Sequence, residues 1–126
     1  MAHPEKAVLA SLKKICLALP GTKLTYTWGH PHFRVGEKIF ASFGEYKGEW
    51  VISLKVGKLM QGVFLSDPRF FYSPYVGKHG WVTLRVNAAP LNWPELRALI
   101  KGSYDLIAPA AKKKPARQRA RKRASK

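Results

Sequence analysis

The sequence predicts an α+β two-layer sandwich, an antiparallel five-stranded sheet with helices packed on one face, in the order α-β-β-β-β-α-β-α. Three observations carry this. A stretch with helical spacing opens the chain, and another with a capping signal closes the hydrophobic part. Between them lie short alternating segments whose connections are too brief for parallel crossovers. A chain of 126 residues, 46% hydrophobic and 12% aromatic, builds one compact core and is too short for two.

From Pro4 to Leu19 the apolar residues Val8, Leu12, Ile15, Cys16 and Leu19 recur at helical spacing, and Pro20-Gly21 supplies the stop. Lys6, Lys13 and Lys14 lie off that stripe. Cys16 lies on it, so a buried, inert thiol is expected there rather than a nucleophile. Thr25 to Leu54 reads as a meander of short strands. Thr25–Trp28 has strand composition, and Gly29-His30-Pro31 interrupts it. His32–Val35 and Lys38–Phe43 flank Gly36-Glu37, a glycine-first two-residue turn suited to a hairpin. That register sets Phe33 opposite Phe40, with Arg34 on the other face. In the next strand Trp50, Ile52 and Leu54 alternate with Val51, Ser53 and Lys55. Val56–Leu65 fits a short helix despite Gly57 and Gly62, and Ser66-Asp67-Pro68 ends it.

The stretch from Phe70 to Val86 leads into the cleanest strand. There Val82, Leu84 and Val86 alternate with Trp81, Thr83 and Arg85, so an aliphatic face looks to the core and an indole, a hydroxyl and a guanidinium share the opposite face. The preceding Gly77-Lys78-His79-Gly80 reads as a turn whose glycines permit positive φ and close approach of a ligand. Asn92 then caps a helix with Glu95 in capping-box position and Pro94 in the first turn. Leu96, Leu99, Ile100, Ser103, Tyr104 and Ile107 mark its inner face, and Pro109 is expected to end it. From Ala110 on the chain has no large hydrophobes, so the expected organisation is a domain over 1–109 and a disordered basic tail over 110–126.

Charge points to the partner. There are 23 Lys and Arg against seven Asp and Glu, a net +16. Nine of the basic residues fall in 110–126, which has no acid, so 14 basic and seven acidic residues remain before it, a net +7. Such a field attracts a polyanion, nucleic acid first and an anionic membrane surface second. The lone cysteine excludes an internal disulfide and fits a reducing cytoplasm. No apolar run is long enough to span a membrane and no signal-peptide layout opens the chain, so neither insertion nor export is expected.

The expected nucleic-acid contacts in the tail are Lys112, Lys113, Lys114, Arg117, Arg119, Arg121, Lys122 and Arg123, each able to neutralise a phosphate and release counterions. In the body they are Arg34, Lys55, Lys78, His79 and Arg85, a basic patch beside Trp81. The plainer alternatives are a solubility tail and a sheet face whose cations are merely solvated, with Trp81 packing over the core. His30 and His32 share a face on a regular strand and His79 is a third imidazole, but Pro31 breaks that regularity and no cysteine or carboxylate cluster lies near, so no metal and no cofactor is expected. No paired carboxylates, Walker loop or serine elbow mark a catalytic centre, so a binding protein rather than an enzyme is expected. A small-molecule pocket or enzyme site near Tyr72, Tyr75 and His79 is the alternative, and a protein-interaction module is a further one.

The succession LALPGT, TWGHPHFRV with KIFASF, SPYVGKHGWV and a closing helix ending in SYDLIA resembles the MmcQ/YjbR family over about Leu17 to Ala108. The resemblance implies a frataxin-like (CyaY-like) fold and a small DNA-binding protein, and it carries over no catalytic residues. Iron binding of the frataxin type relies on an acidic first helix, whereas this one carries three lysines and one glutamate. The expected function is therefore DNA binding that is mainly electrostatic and weakly sequence-selective, with DNA ahead of RNA, by a monomer in the cytoplasm at or near the nucleoid.

Overall fold

The computed structural model describes residues 4–124 apart from 28 and 89, and the side chains of 4 and 110–124 lie outside that description. Among the described residues the order is α1 (Pro4–Leu17), β1 (Thr22–Thr27), β2 (His30–Val35), β3 (Lys38–Tyr46), β4 (Glu49–Lys55), α2 (Lys58–Leu65), β5 (Phe70–Tyr72), β6 (Trp81–Arg85) and α3 (Trp93–Ala124), with a 3₁₀ turn at Gly77–His79. The strands form one sheet in the order β1-β2-β3-β4-β6-β5, every neighbour antiparallel. The predicted class holds with six strands in place of five. The added one, β5, is a three-residue edge strand made of the aromatic run Phe70, Phe71 and Tyr72, too short for alternation to declare it.

Alternation assigns the faces as expected. Phe33, Ile52, Leu54 and Val82 point to one side, where Leu12 and Cys16 of α1 and Leu96 and Ile100 of α3 close over them, all at 2% exposure or less. Each such side chain contributes about 1.5 to 3 kcal/mol by leaving water. Burial pushes the Cys16 thiol up to about 12, which leaves it protonated and inert. Tyr104 of α3 crosses the core edge-on to Phe40, with ring centroids 5.5 Å apart, and its hydroxyl donates to the Pro20 carbonyl, three residues past the end of α1. No helix among the described residues is long and apolar enough to cross a membrane.

Several local expectations give way to tertiary pairing. The Gly36-Glu37 turn forms, with positive φ at Gly36 only, and Val35 faces Lys38. Phe33, however, faces Ala41 rather than Phe40, because the register shifts by one after Arg34–Ile39 and Phe40 becomes the extra residue of a bulge. The shift buries Phe33, Phe40 and Ala41 together. Ser103 of α3 then donates to the Phe40 carbonyl at 2.6 Å and accepts from the Lys55 amide at 2.9 Å. Pro31 does not interrupt β2: it pairs with Tyr26 of β1, while the β2–β3 register runs from His32 to Val35. Helix α2 starts at Lys58, with Gly57 at φ 90 ahead of it.

Asn92 caps α3 as expected, its Oδ1 accepting from the Glu95 amide at 3.1 Å. The Glu95 carboxylate does not reach back to complete a capping box. It goes to Arg69, whose guanidinium meets Glu95 at 2.7 Å and Asp67 at 2.7 Å, tying the start of α3 to the turn before β5. That guanidinium is the main cause holding both carboxyls below their ordinary values. A carboxylate with a depressed folded pKa stabilises the fold above its unfolded value, and the stability is lost as pH falls through the folded one. The urea midpoint is therefore expected to drop on acidification below about pH 4, and Arg69→Met should flatten that limb. An acid limb of the same steepness in the variant would refute this assignment.

Helix α3 does not end at Pro109 but continues to Ala124. Ala, Lys, Gln and Arg lose little rotamer freedom in a helix, and an interior proline removes one backbone donor without forbidding helix on both sides of it. The tail cations, which the sequence expects on a disordered segment, have side chains outside the described residues.

Candidate functional site

The sheet face away from the helices carries the side chains that the core does not use. Its central row runs through successive cross-strand partners: Thr25 on β1, His32 on β2, Ser42 on β3, Ser53 on β4, Thr83 on β6 and Phe71 on β5. Four small hydroxyls and an imidazole thus line up at the middles of their strands. Small side chains at the centre of a sheet face make a depression, and larger neighbours make its walls. The segment after β5 folds back over this face, and Ser73 meets Thr83 at 2.8 Å while Thr83 meets Ser53 at 2.9 Å. Ser73 and Thr83 are each only 1% exposed as a result. What remains between segment and sheet is a cavity of about 470 Å³, walled by Tyr46, Tyr75, Val76 and Trp81 and floored by His32, Ser42 and Ser53.

His30 and His32 both line this cavity, as their spacing requires on a regular strand. The His30 ring lies against Gly44 of β3, where an added Cβ would stand 3.0 Å from its ring carbon Cγ, so a side chain there would require the imidazole to shift by a few tenths of an ångström. His32 places Nδ1 3.0 Å from the His30 carbonyl. A carbonyl only accepts, so Nδ1 carries the proton and Nε2 is left as an acceptor. Burial is the main cause pulling the His32 pKa below its ordinary value; the charges of Arg34 and His30 add to it and the bond to the His30 carbonyl opposes it. The ring is therefore neutral at pH 7. Among the described residues no group of three His, Cys, Asp or Glu side chains is placed to hold a metal ion.

The predicted cations divide. Arg34 pairs across with Ile39 and Lys55 with Trp81, both cavity residues, so these two cations flank one end of the cavity. Lys78 and His79 are exposed in the turn that enters β6 at Trp81, at the same end of the sheet. Arg34 uses two donors locally, to Thr25 Oγ1 at 3.0 Å and the Glu37 carbonyl at 2.9 Å. Arg85 stands apart. It is four residues along β6 from Trp81, about 13 Å at strand rise. Its guanidinium pairs with Glu49 at 2.6 Å and covers the Phe71 ring at 4.6 Å. The glycines of the turn serve packing rather than a ligand, since Gly77 makes room for the Tyr72 ring and Gly80 for the Gly57 backbone. Of the three residues expected around a pocket, only Tyr75 lines the cavity; Tyr72 lies on a neighbouring groove and His79 lines neither. Ser42, Ser53 and Ser73 were not singled out by their sequence context. The available signal is that Ser42, Ser53 and Thr83 each sit mid-strand among hydrophobes.

Residues 17–106 match the family model described as YjbR. The chain belongs to the YjbR family. No curated protein matches it. Among solved structures this YjbR chain is similar to a Deinococcus radiodurans protein with a DUF419 domain, at 22% identity and a TM-score of 0.68 over 79% of this chain and 77% of that one. It is also similar to a Pseudomonas syringae protein, at 23% identity and a TM-score of 0.61 over 83% of this chain and 98% of the other. A Bacillus subtilis protein of the DUF1801 family aligns at 15% identity and a TM-score of 0.52, over 87% and 85%. At such identities the likeness is one of fold.

Proposed function

We propose that this YjbR-family protein binds nucleic acid, DNA ahead of RNA, through electrostatic contacts with weak sequence selectivity, and that it binds rather than transforms its partner. The carrying observation is the charge: +16 overall, with nine basic residues and no acid in 110–126. The ion pairs sharpen it. At least five of the seven acids, Glu37, Glu49, Asp67, Glu95 and Asp105, are spent on local partners. Among the described residues Lys78 is exposed and Arg34 and Lys55 are half-buried, none of them in an ion pair with a carboxylate, so this surplus is available to phosphates. A cytoplasmic place at the nucleoid accords with this reading.

Each cation that neutralises a phosphate contributes about −0.9 to the slope of log affinity against log salt. Replacing all nine basic residues of 110–126 by glutamine in the full chain is expected to reduce the magnitude of that slope on duplex DNA by several units, up to about 8. Equal slopes for the two proteins would overturn the tail's part in this function, and binding indifferent to salt in the unaltered protein would overturn the function itself.

A further inference from the structure

The nucleic-acid reading leaves the open-face cavity without a task, and its chemistry is specific enough to name an occupant. Resting on that reading, we infer that the cavity receives an unpaired nucleobase, stacked on Tyr75 and Trp81, whose edge meets Ser42 and His32 and whose phosphate lies toward Arg34 and Lys55.

Four features select this occupant. The walls are aromatic: Trp81 is half-buried along one side, and Tyr75 overhangs the mouth at 94% exposure. Tyr75 is held there at a cost. Its φ is 68, and the Val76 amide donates to the Pro74 carbonyl at 2.7 Å across it, a γ-turn with positive φ, which is rare and strained for a residue with a side chain. A tyrosine kept in a disfavoured backbone state without burying its ring is placed for something outside the fold. Stacking on such a ring is how proteins hold unpaired bases.

The floor supplies unused hydrogen-bonding groups of both kinds. Ser42 has no partner among the described residues, nor does His32 Nε2, and no buried side-chain nitrogen or oxygen is left unsatisfied, so both open to the cavity. The hydroxyl donates or accepts and the neutral imidazole nitrogen accepts, which suits the mixed edge of a base. No carboxylate lines the cavity, which argues against a cationic guest. No lysine or arginine lines it either, so an anionic group belongs outside, where Arg34 and Lys55 flank it. A neutral planar ring joined to a phosphate meets all of these conditions, and a volume of about 470 Å³ is within the range of small-ligand sites.

The base has two sources, a single strand or a free nucleotide, and one set of titrations separates them. The full-length protein is titrated at matched salt with a mixed-sequence single strand without self-pairing, with an abasic strand of equal length, and with the four nucleoside monophosphates. The expected result is tighter binding of the base-bearing strand than of the abasic one, a preference that Tyr75→Ala reduces about 5- to 150-fold while leaving the abasic strand unaffected. Ser42→Leu, which fills the floor from a position with no internal hydrogen bond to lose, is expected to abolish the same preference with an unchanged melting curve. Saturable, Tyr75-dependent binding of a monophosphate without a strand preference would support the cavity and identify a free nucleotide as its guest. Equal affinity for base-bearing and abasic strands together with no monophosphate binding would overturn the inference while leaving the electrostatic function standing. Failure of every strand to bind would remove that function instead.

Discussion

Gly80→Ala is expected to destabilise the fold by about 3 to 5 kcal/mol, read as a fall in the urea midpoint. Two costs combine. Gly80 has φ 88 and ψ 24, a left-handed conformation that penalises a side chain by roughly 1 to 2 kcal/mol. Its added Cβ would also stand 2.8 Å from the Cα and carbonyl carbon of Gly57, atoms of backbone rather than the end of a flexible side chain. The two glycines are held at that distance because the Gly80 carbonyl accepts from the amides of Val56 and Gly57 at 2.9 and 3.0 Å. Separating them strains the link between the turn before β6 and the start of α2. Gly62→Ala is the control, since nothing lies within 4 Å of its Cβ position inside α2. It should stabilise by about 0.5 to 1 kcal/mol. A Gly80→Ala protein within about 1 kcal/mol of the parent would refute the close approach.

Ser103→Ala should cost about 2 to 4 kcal/mol, although it deletes a single oxygen. That oxygen is fully buried and serves two backbone groups from different strands, the Phe40 carbonyl and the Lys55 amide. The two residues lie just beyond Ala41–Leu54, where the β3–β4 register stops, and the hydroxyl bridges the strands there. Leaving a buried donor or acceptor unpaired carries its desolvation penalty of about 1 to 3 kcal/mol. Ser103→Thr keeps the hydroxyl and should recover most of the loss. If alanine melts with serine while threonine is worse, the site is governed by volume and the assignment fails.

Ser103 also shows how the sequence can be read and where reading stops. Its helical spacing with Leu96, Ile100 and Ile107 placed it on the inner face of α3, and the residue is buried there. What it binds was not legible, because Phe40 and Lys55 meet it only where β3, β4 and α3 come together. Glu95 is similar: the cap by Asn92 is local and was legible, whereas the carboxylate's partner, Arg69, lies 26 positions away in the chain. Arg85 and Lys55 were both correctly placed on the open face, yet one row of the sheet separates their neighbourhoods and Glu49 engages only Arg85. The cavity itself was hardest to foresee. Its floor comes from three strands and its cover from a segment with no periodicity.

The amino-acid order by itself determined the α+β class, the two faces of the sheet, the cap of α3, the inert setting of Cys16 and the surplus of positive charge. These follow from periods of two and 3.6 and from composition, which neighbours along the chain suffice to define. Only the folded chain decided which polar side chains share a row, which carboxylates neutralise which cations, and that Ser73–Val76 covers the sheet. Such contacts join residues far apart in sequence, and their geometry is set by strand register and bulges that no single segment encodes.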